Sequence, residues 1–244
     1  MTERRESAAV RLTGVWKVYG KDPAEVVALR DVTMAFPTSS FTAIMGPSGS
    51  GKTTLLQCSA GLAAPTRGTI TFGGTDLTGM RERDLAVLRR SRMGFVFQSF
   101  NLLPALTGRE NVVLPLQFAG RPVDRGRLTE LLTRTGMGDH VDRFPHELSG
   151  GQQQRVAICR ALLPRPEVVF ADEPTGALDS RTGEGVLDVL RVAVDELAQT
   201  VVMVTHEPAV AARADRVLFL RDGQWIGSLE RPTIAEITDR LAPA

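Results

Sequence analysis

Apolar and polar positions alternate with changing period along this chain, and the changes divide it into elements. Residues 10–18 alternate loosely and predict a strand that ends at Tyr19 and Gly20. A polar turn at 21–25 follows, then a second strand at 26–36 with a bend at Arg30 and Asp31. The turn Pro37-Thr38-Ser39-Ser40 leads into the apolar run 41–45, short enough for a buried strand, and 52–60 predicts a helix. A loop with Pro65 precedes a short strand at 68–72, closed by Gly73 and Gly74. Residues 82–91 predict a helix with Leu85 and Leu88 three apart, and 93–98 is another apolar run of strand length.

After Gln98 the texture changes. Residues 100–145 carry no convincing strand; helices are predicted at 110–118 and 127–135, broken by Gly120, Pro122, Gly136 and Gly138. Leu148 to Gln152 opens a further helix that runs to about Leu163, where Pro164 and Pro166 stop it. The α/β alternation then returns. A strand at 168–171 precedes a helix at 182–197 whose apolar face is Val186, Leu190, Val194 and Leu197. A strand at 201–204 reaches Thr205 and His206, and a short helix follows at 208–214. Residues 217–220 and 225–229 flank Asp222-Gly223, a hairpin signal, and a last helix spans 234–241. The pattern predicts one α/β domain over 1–244. Its core is 1–98 and 161–244, with an antiparallel β portion near the N-terminus, and a helical subdomain is inserted at 99–160.

Composition narrows the classes without choosing among them. The chain has 244 residues, 43% hydrophobic and 23% charged, enough for a sizeable core without metals or disulfides. A net charge of +1 gives no reason to expect nucleic acid or a membrane surface as partner. Cys58 and Cys159 fall among apolar neighbours on predicted helices and read as buried thiols; three scattered histidines and no C-x-x-C spacing leave a zinc site unsupported. No run of 18 apolar residues is present, and the polar N-terminal segment lacks the apolar stretch of a secretory signal.

The chemistry gathers at Gly46-Pro47-Ser48-Gly49-Ser50-Gly51-Lys52-Thr53, which fits the P-loop pattern G-x-x-x-x-G-K-[ST] between a predicted strand and a predicted helix. The glycines let the backbone curl so that its N–H groups converge on one anion, at the positive end of the following helix. Lys52 can then reach the β- and γ-phosphates, and the Thr53 hydroxyl can bind Mg²⁺, with Thr54 beside it in the first helical turn. The hydrophobic strand at 168–171 runs into Asp172 and Glu173. Ligands bind beyond the carboxyl ends of parallel strands, so Asp172 is expected to hold Mg²⁺ and Glu173 to accept a proton from an attacking water. Leu148-Ser149-Gly150-Gly151-Gln152 supplies a second glycine pair at a helix start, another phosphate-binding terminus with the Ser149 hydroxyl as added donor.

Leu-Ser-Gly-Gly-Gln resembles the signature of ATP-binding cassette ATPases, and Gln98, Asp179 and His206 fall in that family's order around it. The resemblance covers about 10–227. It implies ATP and Mg²⁺ as cofactors and hydrolysis of ATP as the reaction. It implies adenine stacking for Tyr19 and contact of Gln98 with Mg²⁺ or the attacking water. Asp179 would link the two sites of a dimer, and His206 would contact the γ-phosphate. It also implies a head-to-tail homodimer in which each ATP lies between one P-loop and the partner's Ser149, Gly150, Gly151 and Gln152. Ser39-Ser40 replaces the usual Gly-Glu turn, and Thr53 stands where serine is commoner; neither alters the chemistry.

Within the family, Gly94 to Pro104, Glu110-Asn111-Val112, Leu114-Pro115-Leu116 and Pro174 to Asp179 resemble ATPases of the macrolide-export and lipoprotein-release type. That resemblance implies a separately encoded integral-membrane permease as partner, and a cytoplasmic location on the inner face of the membrane through it. Two alternatives stay open: a mechanotransmitting ATPase of a cell-division-like complex that transports nothing, and a soluble cassette ATPase acting on DNA or ribosomes. The apolar cluster Phe100, Leu102, Leu103 and Leu106 is expected either to be core or to line the groove that receives a permease helix.

Overall fold

The computed structural model of the protein describes residues 8–20 and 24–242. The reading of the N-terminal segment, and most of the turn at 21–25, lie outside the described residues. The first sheet contains β1 (Ala8–Tyr19), β2 (Val26–Pro37), β4 (Arg67–Phe72) and β5 (Thr75–Asp76), in the order β2-β1-β4-β5 and antiparallel throughout. The second has the order β10-β9-β3-β8-β7-β6. It is built from β3 (Phe41–Met45), β6 (Met93–Phe97), β7 (Val168–Asp172), β8 (Thr200–Val204), β9 (Arg216–Arg221) and β10 (Gln224–Glu230). The pairs among β6, β7, β8, β3 and β9 are parallel, and only β10 runs antiparallel, on β9.

Side chains on these parallel strands alternate between two cores. Ala43, Val169, Ala171, Val201 and Met203 join one apolar cluster; Ile44, Val168, Phe170, Val202 and Val204 join the other. The second cluster is shared with the four-stranded sheet, with α1 (Lys52–Ser59) and with α2 (Glu82–Arg92). The first is shared with α3 (Gly108–Phe118), α4 (Arg125–Arg134), α5 (Gly150–Leu162) and α6 (Ser180–Asp195). Strands buried on both faces read as unbroken apolar runs rather than alternating ones, which is how 168–171 and 201–204 look in sequence. Phe170 is completely buried and stacks on Phe95 at 5.9 Å between ring centroids. Phe170→Ala is expected to lower the unfolding free energy by about 3–5 kcal/mol, the range for truncating a core aromatic, read as a lower midpoint in urea with an unchanged slope.

Between β6 and β7 the chain forms α3, α4 and α5, a 3₁₀ turn at Pro145–Glu147, and no strand, as the sequence pattern predicts. Helix ends are set locally. Thr107 with Glu110, and Ser149 with Gln152, form capping boxes, and Asp124 and Asp179 cap α4 and α6. Gly94 lets α5 lie close on β6; a Cβ there would sit 2.7 Å from the Ala161 carbonyl oxygen. After β8 come α7 (Pro208–Ala211), shorter than the sequence suggests, and finally α8 (Ile234–Leu241).

The strand pairings also explain how the P-loop is held. Asp222 and Gly223 turn the β9–β10 hairpin with φ of 49° and 75°, the two positive values a tight primed turn needs. The Gly223 N–H donates to the Ser50 carbonyl at 3.1 Å, and the Gly223 carbonyl accepts from Arg30 N–H at 2.8 Å. One turn therefore ties the loop after β3 to the four-stranded sheet. Arg30 lies in the expected bend of β2 at Arg30 and Asp31, and Asp31 has φ 51°.

Candidate functional site

β3 ends at Met45, and the chain coils through 46–51 before α1 begins at Lys52. Gly51 makes the last turn with φ 97°, and a Cβ there would lie 2.3 Å from the Ala28 carbonyl oxygen, so only glycine fits. At Gly46 a Cβ would meet the Leu220 carbonyl at 2.0 Å. Pro47, Ser48 and Gly49 are exposed at the tip, and Ser50 is buried with no partner for its hydroxyl. α1 starts without a side-chain cap and without an acidic residue in its first turn. Its first N–H groups and partial positive charge are thus left for an anion. Lys52 folds back over the loop, its ammonium donating to the Gly46 and Pro47 carbonyls at 2.9 Å each. Burial lowers its pKa, and Glu173 and Asp172 pull it back up. Gly51→Ala is expected to weaken nucleotide binding at least about tenfold, or about 1.4 kcal/mol, in a fluorescent-nucleotide titration, because the loop must leave this path to admit the methyl group.

β7 delivers the acids. Thr53 Oγ1 donates a long hydrogen bond to Asp172 Oδ1 at 3.4 Å, which joins the P-loop helix to the end of β7. Burial and the negative charge of Glu173 raise the Asp172 pKa; the Thr53 hydroxyl and Lys52 oppose them. Glu173 sits at φ 49°, a conformation non-glycine residues seldom adopt, and its N–H is tied to the Val204 carbonyl at 3.0 Å. That twist turns its carboxylate to His206 at the end of β8, with Nδ1 3.0 Å from Oε1. Lys52, Thr53, Asp172, Glu173 and His206 are thereby brought together at the carboxyl ends of β3, β7 and β8.

Gln98 follows the last residue of β6, whose Phe97 pairs with Asp172 in register. Its amide lies against Gly176, where a Cβ would be 2.9 Å from Nε2. The residues 149–152 stand elsewhere in the subunit. Positions around Gly150 and Gly151 face Leu178, Phe100 and Thr182 rather than the P-loop, and a Cβ on Gly151 would lie 2.0 Å from the Thr182 side chain. The Ser149 hydroxyl, expected as a donor, accepts from Gln152 N–H at 3.3 Å, and the Gln152 side chain accepts from Ser149 N–H at 2.9 Å. Both side chains thus serve the helix start, with the hydroxyl hydrogen still free to donate. Asp179 accepts from Thr182 N–H at 3.1 Å, and these bonds hold its carboxyl below the usual range. Tyr19 is 41% exposed, with the Lys17 ammonium 4.8 Å above its ring.

The loop after Gln98 divides its apolar residues. Leu102 packs against the core and Leu103 is exposed, while the groove beside them, about 450 Å³, is lined by Ala86, Met93, Phe95, Phe97, Pro115 and Asn101 among others. Three positioning residues escape the sequence reading. Asn111 is fully buried, its amide donating to the Leu103, Leu106 and Thr107 carbonyls. Arg160 holds the Phe100 and Asn101 carbonyls. Gln154 is fully buried below the signature loop. The signal for Gln154 was present: a glutamine three residues after Gly151 and four before Ile158, on the buried face of a predicted helix.

These features fit a nucleotide polyphosphate. The loop carries an uncapped helix start, a lysine bound only to backbone carbonyls and an orphan buried hydroxyl. The paired acids beside Thr53 fit a divalent cation, which would offset the burial and the Glu173 charge that raise the Asp172 pKa.

A family description, "ABC transporter", matches residues 29–176. An uncharacterized ABC transporter ATP-binding protein of Methanocaldococcus jannaschii is 44% identical over 219 residues, covering 89% of this chain and 97% of that one. The macrolide export ATP-binding/permease protein MacB of Syntrophobacter fumaroxidans is 46% identical over 218 residues; the match takes in 88% of this chain but only 30% of that one. Among solved structures, a dimeric ATP-binding cassette in a post-hydrolysis state with ADP and Pi is similar with TM-score 0.82 and 40% identity, covering 92% of this chain and 99% of that one.

Proposed function

The chain belongs to the ABC transporter ATPase family, and we propose that it powers a separately encoded membrane permease of the macrolide-export or lipoprotein-release type. As a family member it is an ATPase that uses ATP with Mg²⁺. The observation that carries the site assignment is the convergence of Lys52, Thr53, Asp172, Glu173 and His206 at the carboxyl end of the parallel sheet. In this reading the loop Gly46, Pro47, Ser48, Gly49, Ser50 and Gly51 and the helix start through Thr54 cradle the phosphates, with N–H donors from these residues other than Pro47, which only shapes the turn, and Lys52 leaves the loop carbonyls for the β- and γ-phosphates. Thr53, Asp172 and Gln98 would hold Mg²⁺, which would supply charge neutralisation along the phosphate chain. Glu173 takes the proton of the attacking water, and His206 fixes its carboxylate and meets the γ-phosphate. Tyr19 stacks on adenine.

The dimeric solved relatives and the permease fused to the cassette in MacB support a dimer and a membrane partner. The finer arrangement is ours: two subunits sandwich ATP, each P-loop opposite the partner's Ser149 to Gln152, with Asp179 joining the two sites. In that arrangement 1–244 acts as one ATPase domain. Residues 99–160 form a helical subdomain that moves against 1–98 and 161–244. No helix among the described residues is long and apolar enough to cross a membrane, and we assign the chain to the inner face of the membrane through its permease.

The groove between α2, β6, α3 and α5 offers an apolar floor for a permease segment, beside Asn101 and three residues from Gln98. Ala86 is an exposed part of its wall. Ala86→Arg is expected to abolish stimulation of ATP turnover by the permease and leave basal phosphate release within about twofold, as for surface changes away from the site. Vesicles reconstituted with both chains test the reading. ATP-dependent movement of a substrate supports the exporter assignment. Coupled turnover with no movement across a broad substrate panel favours the mechanotransmitting alternative.

A further inference from the structure

Gln154 lies on α5, five residues beyond the Ser149 cap, and none of its surface reaches solvent. Its side-chain amide donates twice: to the Pro174 carbonyl at 2.6 Å and to the Phe97 carbonyl at 3.3 Å. Phe97 is the residue before Gln98, and Pro174 is the residue after Glu173. Phe97 and Asp172 are register partners on β6 and β7, so one amide spans two adjacent strand ends where they leave the sheet. The orientation of the amide is dictated by its partners, since both are carbonyls and only the NH₂ can face them. Its oxygen is left buried without a partner, and the hydroxyl of Thr175, the next residue along, is also buried without one. Buried unpaired polar groups are uncommon and costly.

We propose that Gln154 is a positioning residue for hydrolysis: its amide clamps the backbone before Gln98 to the backbone after Glu173, so displacement of the helix that bears the signature loop moves both groups together. This rests on the roles proposed above for Gln98 and Glu173. The physical argument is one of leverage. α5 begins at the loop expected to meet the partner's nucleotide, and its only fully buried polar side chain reaches the backbone on both sides of the catalytic edge. A hydrogen bond reaching across 57 residues and another across 20 give a rigid helix direct hold on two loops that are otherwise separate. ATP binding by Lys52 and the P-loop does not pass through this clamp. Loss of the amide therefore alters turnover and not nucleotide affinity.

The test compares Gln154→Met, which keeps length and volume without donors, and Gln154→Glu, which sets a carboxylate against the two carbonyls. Both are assayed well below their melting temperatures. The expected result is kcat lowered at least about tenfold, equal to about 1.4 kcal/mol in the barrier, with KM for ATP within twofold and Gln154→Glu the slower. A purely structural role would lower the melting temperature and leave kcat of the folded enzyme unchanged, and that result overturns the proposal. The unsubstituted chain gives a second reading by hydrogen exchange with and without MgATP. The segments 97–99 and 174–176 should change protection together; independent changes overturn the clamp. Glu173→Gln is run in parallel. If it hydrolyses ATP normally, the assignment of the catalytic edge has failed. If it is inactive and Gln154→Met is normal, only the clamp has failed.

Discussion

Glu173→Gln is expected to reduce phosphate release by about a hundredfold or more, within the 10²–10⁴ range for removal of a general base, while ATP binding survives. The substitution keeps length and shape and removes only the ability to take a proton. Geometry argues that Glu173 is built for that task. Its backbone is held at φ 49° by hydrogen bonds on both sides, to Val204 and from Gly176. A strained backbone of this kind costs about 1–3 kcal/mol and persists where surrounding structure holds it. Here it turns the carboxylate away from the strand axis toward His206. Asp172, one residue earlier, has Thr53 and Lys52 as its neighbours and is the acid we propose for the metal side of the site. Lys52→Ala separates the two functions. It is expected to lose nucleotide affinity, because the ammonium now bound to the Gly46 and Pro47 carbonyls is the charge that would move to the phosphates. Single-turnover assays at saturating ATP, with a separate binding titration, distinguish a chemical defect from a binding one. Near-normal turnover in Glu173→Gln removes Glu173 from the role.

Much of this arrangement was legible in the chain, for reasons that differ from element to element. β3 and α8 match their sequence boundaries, since an apolar run closed by glycine and a capping box at Thr233 and Glu236 are local signals. The Asp222-Gly223 hairpin is also local, because two positive φ angles select those residue types. β5, two residues long, has no period to detect and exists only because Thr71 and Phe72 pair with it. The 3₁₀ turn before the signature loop is local in its bonds, with Pro145 at its start and Glu147 accepting from Phe144 N–H at 2.8 Å, but three residues are too few to show a period.

At the site, the residue types of the P-loop and of 172–173 suggest their proposed chemistry from sequence alone, but the contacts that aim them are not visible there. Gly223 holding the Ser50 carbonyl joins residues far apart in sequence, and nothing in either segment predicts it. The apolar loop at 100–106 looked like one cluster, yet Leu102 faces the core and Leu103 faces solvent. Periodicity cannot separate them where no helix or strand imposes a period. The place of Ser149 before two glycines predicts a phosphate donor. The same serine is also the cap that the α5 start needs, and in the isolated subunit the cap is what it does.

That double demand on Ser149 makes the dimer the most exposed part of the proposal. In the Glu173→Gln background, where hydrolysis is expected to be too slow to consume the ligand, the protein is expected to be mainly monomeric or loosely associated without nucleotide and a tight dimer with MgATP. Without ATP, two α1 starts and two copies of Lys52 present like charge, and each α5 start opposite them is positive as well. ATP brings negative charge that both subunits can bind at once, and ADP lacks the γ-phosphate that the second subunit would reach. A ligand shifts an equilibrium only by its differential affinity for the two states, so ATP should favour the closed dimer and ADP should not. Ser149→Arg added to Glu173→Gln is expected to block the dimer by filling the γ-phosphate position, with P-loop binding largely intact. The arginine also removes the cap of α5, a loss of about 0.5–2 kcal/mol, so Ser149→Ala serves as the matched control. It loses the cap and leaves the space open, and it should still dimerise with ATP, though more weakly. Sedimentation of the three variants with ATP and with ADP decides the matter. Equal dimerisation with and without Ser149→Arg would mean that 149–152 do not meet phosphate across the interface, and the ATP-sandwiched arrangement would be abandoned. Loss of the dimer in Ser149→Ala as complete as in Ser149→Arg would place the defect in the helix start itself.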